Sequence, residues 1–283
     1  MGKSLDICEF RQIEGKVRDC IDVGVKQCSD CKLILHGEDL SKIVNYKVGS
    51  MHSWLSNSLD ALPKAKADIS RRVESIEMWA KEVGGNKLLD FGCGNGDFLR
   101  ALPGTFSVFG LEPDDAVCLR NKSTIICETN LLELKKHSTK FDIITLFHVV
   151  EHLYQPTETI SELHSLLSED GLLIVETPNA QDALTSLYQC RSFQNFTYWS
   201  HHPYVYSKIA LSSLIERCGF KVLSTSGVQR YSLDNHMMWL SHGKPGGHET
   251  WGHIFDSKLL AEYARNLVAQ DFNDTLYIVA KKA

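Results

Sequence analysis

Several residues of this chain have types and spacings that suit binding or catalysis. The run Leu88-Leu89-Asp90-Phe91 passes into Gly92-Cys93-Gly94-Asn95-Gly96, an apolar segment ending in a Gly-x-Gly-x-Gly loop. Glycines at such a turn let the backbone approach a ligand closely. Asp90, two positions before the first glycine, suits a cationic amine, because a carboxylate beside a pyrophosphate would be repelled. Glu112 lies 22 residues beyond Asp90, at the end of the next apolar run. That spacing suits a ribose, since one carboxylate can accept hydrogen bonds from two vicinal hydroxyls. The dinucleotide fingerprint wants Gly-x-Gly-x-x-Gly, whereas here the third glycine is Gly96 and Asp97 fills the later slot, so the spacing disfavours a nicotinamide dinucleotide.

Imidazoles form the second group. His148-Val149-Val150-Glu151-His152 matches His-x-x-Glu-His, which on a helix would offer two zinc ligands one turn apart and a glutamate base. Here the pattern directly follows a strand-like run and Pro156 comes four residues later, which argues against a zinc protease. Six of the twelve histidines fall between Tyr198 and His253, interleaved with Trp199, Tyr204, Tyr206, Tyr231, Trp239 and Trp251. Polar groups among aromatics suit a hydroxylated ligand, and His titrates near neutrality as a general base must. His148, His202 and His236 are the base candidates. Tyr204, Tyr206, Arg230 and Asn235 are expected to contact that ligand, with Arg230 suited to clamp an anionic group. The loop Lys244-Pro245-Gly246-Gly247 reads either as a lid or as a connector.

The elements that must hold these residues alternate. Ala65–Val83 carries apolar residues at helical spacing and ends at Gly84-Gly85. Strand-like runs follow at Lys87–Phe91, Ser107–Leu111, Thr124–Cys127, Phe141–Phe147 and Gly171–Glu176, with gaps long enough for crossover helices. A helix over Ser207–Cys218, with Ser207 as N-cap and Gly219 closing it, precedes two further strands, Phe220–Ser226 and Thr275–Ala280. The pattern predicts an α/β fold with a parallel, doubly wound sheet.

The chain has 283 residues, 43% of them hydrophobic, enough for one large or two ordinary domains. Its net charge of −5 argues against coating nucleic acid. No run approaches the eighteen or so apolar residues of a membrane span, and no secretory signal is visible at the start. A soluble, cytoplasmic protein with reduced cysteines is expected, and nine cysteines, an odd number, do not suit a closed disulfide framework. Four of them, Cys8, Cys20, Cys28 and Cys31, lie in the first 51 residues. Residues 1–51 therefore read as a small cysteine-containing module and residues 52–283 as the main domain, with 180–206 and 227–273 as acceptor-side elements.

Four ordered blocks give the chain a family resemblance: Asp90–Gly96, Leu111-Glu112-Pro113, Phe141–Leu153 and Gly171–Asn179. They resemble the class I S-adenosylmethionine-dependent methyltransferases. The resemblance implies a Rossmann-like seven-stranded sheet with the last strand antiparallel and S-adenosyl-L-methionine across the carboxyl ends of the strands. It implies that Gly92, Cys93, Gly94 and Gly96 pass under the methionine moiety, with Asp90 near its amino group. Glu112 and Pro113 would meet the ribose, Asn130 and Leu131 the adenine, Phe147 and His148 would lie beside the cofactor, and Glu151 and His152 would lie near the acceptor, with His152 contacting it. Asn130 stands where the family more often has Asp. Ubiquinone-biosynthesis O-methyltransferases carry a similar Glu-His pair associated with a divalent metal, with another carboxylate where this chain has His148. The segment Cys28-Ser29-Asp30-Cys31 resembles one knuckle of the zinc-ribbon module found before some sugar methyltransferase domains, which makes Cys28 and Cys31 candidate metal ligands. A complete ribbon needs a second Cys-x-x-Cys, and Cys8 and Cys20 are twelve apart instead. The expected reaction is O-methylation of a sugar or nucleotide sugar in cell-surface polysaccharide or secondary metabolism. N- or C-methylation, a nicotinamide-dependent oxidoreductase and a non-catalytic cofactor binder are the alternatives. The expected partner is a small polar acceptor, with no nucleic acid, and a homodimer stays open.

Overall fold

The computed structural model describes residues 8–18, 20–36 and 63–283. The boundary expected at residue 51 lies outside the described residues. The first described elements are strands β1 (Phe10–Val17), β2 (Cys20–Cys28) and β3 (Ile34–His36). Helix α1 (Pro63–Val83) leads into β4 (Lys87–Phe91), α2 (Asp97–Ala101), β5 (Ser107–Leu111), α3 (Asp115–Asn121), β6 (Ile126–Glu128), α4 (Leu131–Lys135) and β7 (Phe141–Phe147). A single 3-10 turn, Val150–His152, precedes α5 (Pro156–Leu166) and β8 (Leu167–Pro178). Then come α6 (Arg191–Thr197), β9 (Tyr204–Val205), α7 (Lys208–Arg217), β10 (Phe220–Val228), α8 (Leu233–His242), α9 (Gly247–Trp251), α10 (Ser257–Ala269) and β11 (Thr275–Lys282).

Seven strands make the main sheet in the order β6-β5-β4-β7-β8-β11-β10. Neighbours from β6 to β8 run parallel, and β11, the last strand, pairs antiparallel with both β8 and β10. This is the predicted Rossmann-like sheet. Its strands alternate between two apolar layers, as period-two side chains in a doubly covered sheet must. Leu89, Ile144, Leu173 and Ile278 enter one core, while Leu88, Ile143, Ile174 and Val279 enter the other. Parallel register sets Asp90 opposite Thr145 and Gly110, and Phe147 opposite Glu176, so the functional positions share the carboxyl edge.

Local chemistry agrees with the ends of α7. The Ser207 hydroxyl accepts from the Ala210 amide at 3.1 Å, and Gly219 follows the Cys218 C-cap at φ +88°. The third parallel strand sits at Ile126–Glu128, two residues later than its apolar run begins, because Thr124 and Ile125 still donate to the Asn121 carbonyl at the end of α3.

Strands β1, β2 and β3 do not stand apart from the rest of the described residues. β1, β2 and β3 form a second sheet whose fourth strand is β9, in the order β1-β2-β3-β9, with Ile34 opposite Val205 and Leu35 opposite Tyr204. Cys28 and Leu33 are buried in the same core as β4 and β7. The cysteine-bearing strands are thus built onto segment 180–206, expected to lie on the acceptor side.

Candidate active site

The glycine loop is held by backbone. The Gly92 and Cys93 amides both donate to the Leu111 carbonyl, at 2.8 and 3.0 Å, and the Asn121 side chain donates to the Gly94 carbonyl at 2.7 Å. Gly92 has φ +79°, and a Cβ there would lie 2.5 Å from a Val149 methyl, so only glycine fits. The Cys93 thiol turns into the core, 3.9 Å from the Cys127 sulfur, rather than toward a ligand. It needs Gly110 beneath it, where an added Cβ would meet the sulfur at 2.6 Å.

A cleft of about 630 Å³ opens beside this loop. Phe91 and Gly92 come to its wall from β4, Leu111, Glu112 and Pro113 from β5, Asn130 and Leu131 from the start of α4, and His148, Val149 and His152 from the segment after β7. Its size suits a small-molecule ligand. Glu112 is buried, and its two carboxylate oxygens accept from the amides of Gly94 at 2.9 Å and Asp114 at 3.0 Å, which fixes its orientation. Asn130 uses its carbonyl oxygen to cap α4 through the Glu133 amide at 3.0 Å. Asp90, Gly94, Gly96 and Phe147 are not part of the cleft wall. Asp90 accepts from Thr145 Oγ1 at 2.7 Å, and burial pushes its carboxyl up to about 6 against that bond and the Arg72 charge.

His148 has φ +57°, a strained conformation for a residue with a side chain. Its amide donates to the Glu176 carbonyl at 2.7 Å. Its Nε2 lies 2.9 Å from Arg230 Nη1 and 3.2 Å from Glu176 Oε1. Its Nδ1 lies 3.4 Å from Glu151 Oε1, so the ring stands between two buried carboxylates, Glu176 at Nε2 and Glu151 at Nδ1. Burial favours the protonated form of Glu176, but the His148 bond and the Arg72 charge hold its carboxyl well below the usual range. Arg71 and Arg72 pair with it at 2.8 and 2.5 Å. Arg230, expected to clamp an anion, instead pairs with Asp68 through Nε at 3.0 Å and Nη2 at 2.7 Å, and it is not part of the cleft wall.

Beyond His148, three groups converge. One ligand atom each from Glu151, His152 and His202 lies within 4.8 Å of the others. Glu151 is buried and accepts from Thr177 Oγ1 at 2.9 Å. Burial opposes its ionisation, but the His148 hydrogen bond and the neighbouring imidazoles pull its carboxyl down to about 2. His152 Nδ1 is 2.7 Å from the His201 carbonyl, which can only accept, so Nδ1 is protonated and Nε2 is the basic nitrogen. Its ring packs edge-on against His202 and Trp199. Burial, then the His152 charge, lowers the His202 pKa well below its ordinary value, and its buried Nδ1 has no hydrogen-bond partner. The Tyr206 hydroxyl is likewise buried without a partner, and burial followed by the nearby Tyr204 raises its pKa. Tyr204 stacks on Tyr206 and donates to the Tyr154 carbonyl at 3.4 Å.

His236 and Asn235 are not part of the cleft wall. His236 sits between the Tyr263 hydroxyl, 2.8 Å from Nδ1, and Gln229, with burial lowering its pKa to about 4. The Asn235 side chain accepts from the Gly246 amide at 3.1 Å, and a Cβ on Gly247 would strike the Asp234 carbonyl at 1.9 Å. The Lys244–Gly247 loop is therefore pinned to α8 as a connector. Sequence reasoning missed Glu176, Asp68, Arg71 and Arg72. The available signal was an acid, Glu176, closing the apolar run Leu172–Val175.

This combination of sheet order, reversed last strand and glycine loop at the carboxyl edge defines a Rossmann-like methyltransferase fold. A family model described as "Methyltransferase domain" matches residues 62–225, more than half of the chain. The chain belongs to the class I S-adenosylmethionine-dependent methyltransferase family, whose cofactor is S-adenosyl-L-methionine. Over 172 residues it is 28% identical to a Mycolicibacterium smegmatis protein described as "Probable S-adenosylmethionine-dependent methyltransferase", covering 56% of this chain and 61% of that one. Over 109 residues it is 34% identical to a ubiquinone biosynthesis O-methyltransferase of Glaesserella parasuis, covering 34% of this chain and 46% of the relative. The chain thus spans about half to three fifths of the length of these curated relatives. Its fold resembles that of an S-adenosylmethionine-dependent methyltransferase from Clostridium acetobutylicum, with a TM-score of 0.53 at 10% identity, over 82% of this chain and 99% of that one. Among the described residues no helix is long and apolar enough to cross a membrane.

Proposed function

We propose that the chain catalyses transfer of the sulfonium methyl of S-adenosyl-L-methionine to a hydroxyl of a small polar acceptor, a sugar or nucleotide sugar, in the cytoplasm. The observation that carries this reading is the convergence of Glu151, His152 and His202 beside the same cleft that Gly92 and Glu112 line. The cofactor's positive charge already makes the methyl electrophilic, so the protein's part is to align the acceptor and take its proton. In the displacement the acceptor oxygen forms the new O–C bond, the C–S bond breaks with its electron pair going to sulfur, and the hydroxyl proton passes to His152 Nε2. Glu151, anchored by Thr177, stabilises the imidazolium that results. His202 is neutral and half-buried, and its buried, partnerless Nδ1 together with the Tyr206 hydroxyl supplies polar groups for a hydroxylated ligand.

A carboxylate oxygen and two imidazole nitrogens also fit a transition-series divalent cation. Held by Glu151, His152 and His202, such an ion would lower the pKa of the acceptor hydroxyl. The partnerless His202 nitrogen favours that fit.

Release of S-adenosylhomocysteine across a panel of free sugars, nucleotide sugars, phenols and amines tests the reading. Turnover should appear with a hydroxylated acceptor and fall at least a hundredfold in His152→Ala and His202→Ala, with S-adenosylhomocysteine affinity unchanged. Turnover on amines alone, or full rate in both variants, would overturn it.

A further inference from the structure

We infer that Cys8, Cys28 and Cys31 hold one zinc ion as three thiolates, a structural site separate from the cleft and independent of the proposed reaction. The three sulfurs lie within 4.8 Å of one another. Cys28 and Cys31 bound the turn that joins β2 to β3, and the Cys31 amide points at the Cys28 sulfur at 3.4 Å, an N–H···S contact that favours a thiolate. The Lys32 ammonium closes the turn on the Ser29 carbonyl at 2.7 Å, and Lys32 takes φ +60° where the chain reverses. The hairpin then brings in Cys8. Phe10 pairs with Cys28, and the Ser29 amide donates to the Glu9 carbonyl at 3.0 Å, which sets the residue before Glu9 over the turn.

The spacing selects a metal over a disulfide. Tetrahedral zinc with Zn–S bonds of about 2.3 Å separates its sulfur ligands by about 3.8 Å, whereas a disulfide needs about 2.05 Å. The Cys8 and Cys31 sulfurs stand 3.7 Å apart. A disulfide between them would also leave the Cys28 thiol unused.

A four-cysteine site is not what the fold builds. Cys20 pairs with Val17 at the opposite end of the hairpin from Cys28, roughly 25 Å away at the rise of a β-strand. Cys93, Cys118 and Cys127 lie in the opposite core layer, Cys190 packs in a separate cluster with Trp239, and the Cys218 thiol donates to the Thr157 carbonyl at 3.6 Å. The fourth position therefore falls to a group other than a cysteine.

The turn is also built into the acceptor side. Ser207, the N-cap of α7, donates its hydroxyl to the Cys31 carbonyl, β3 pairs with β9, and His36 Nδ1 lies 2.9 Å from the carbonyl of Trp199, which packs on His152. Zinc at the three thiolates would fasten the sheet that carries this wall, and would leave the cofactor side untouched.

Metal analysis of the full chain purified under reducing conditions tests the inference. One zinc per chain is expected, absent from Cys28→Ser and Cys8→Ser but retained in Cys190→Ser. Cobalt substituted for the zinc should show thiolate-to-metal charge-transfer absorption with the intensity of three thiolates. Alkylation followed by mass spectrometry should find Cys8, Cys28 and Cys31 protected until a chelator removes the metal, which keeps the test decisive if the variants fail to fold. A metal-free chain with all three thiols alkylated at once would overturn the inference, as would a Cys8–Cys31 disulfide. So would zinc that survives Cys28→Ser and is lost in His202→Ala, which would place it at the cleft.

Discussion

Glu112 offers the most quantitative test of how the cleft holds its cofactor. Its carboxylate is oriented by the amides of Gly94 and Asp114, and in the proposed complex it also accepts from the ribose hydroxyls. In Glu112→Ala both amides lose their acceptor in a buried setting, a loss of about 1–3 kcal/mol each in stability. The ribose loses charge-assisted bonds worth about 1.5–3 kcal/mol, which corresponds to a roughly 10- to 150-fold weaker dissociation constant for S-adenosylhomocysteine. Glu112→Gln keeps one acceptor oxygen and should fall between wild type and Glu112→Ala in both quantities. Calorimetric titration reads the affinity, and thermal melting of the same samples separates loss of affinity from loss of fold. An affinity within twofold of wild type in a folded Glu112→Ala would refute the ribose assignment.

Three further outcomes follow from the geometry. Asp90 has a carboxyl raised to about 6 by burial, and in the proposed complex the cofactor's cationic amine would favour its charged form, so binding below about pH 6 would expel a proton. S-adenosylhomocysteine affinity should be level above pH 6 and fall by up to about tenfold per unit below it, a dependence that Asp90→Asn should remove; a flat calorimetric profile between pH 5 and 7.5 in wild type contradicts the placement. Gly110→Ala drives a methyl into the Cys93 sulfur and should lower stability by about 1–3 kcal/mol in denaturant unfolding, whereas a neutral result would mean that the thiol has room to turn away. Glu176→Gln removes the charge that binds Arg71, Arg72 and His148, and a buried pair broken on one side typically loses about 3–5 kcal/mol. An unchanged melting temperature would show that α1 is held to the sheet by other contacts.

Local rules made part of this molecule legible. Gly92, Asp90 and Glu112 were readable because a strand, a glycine turn and an acid one strand later are short-range patterns, and Ser207 and Gly219 mark the ends of α7 by side-chain and backbone chemistry alone. The rest depends on which distant segments meet. β9 has two residues and becomes a strand because β3, some 170 positions earlier, supplies its partner. Arg230 looked like an anion clamp because Asp68 is 162 residues away in sequence and only 2.7 Å away in space. His236 could not be told from His202 as a base, since composition does not say which face of α8 turns toward Tyr263. Cys8 joined Cys28 and Cys31, and Cys20 left them, through hairpin register, which the spacing of cysteines alone does not fix.

The most direct test of the proposed methyl transfer follows the methyl itself. Protein incubated with S-adenosylmethionine carrying a carbon-13 methyl and the acceptor panel would be examined by NMR for the bond that the label enters. The proposed reaction predicts a new methoxy resonance on a sugar or nucleotide sugar, absent with His152→Ala. A label that appears on nitrogen or carbon, or that never leaves the cofactor with any acceptor, would contradict it.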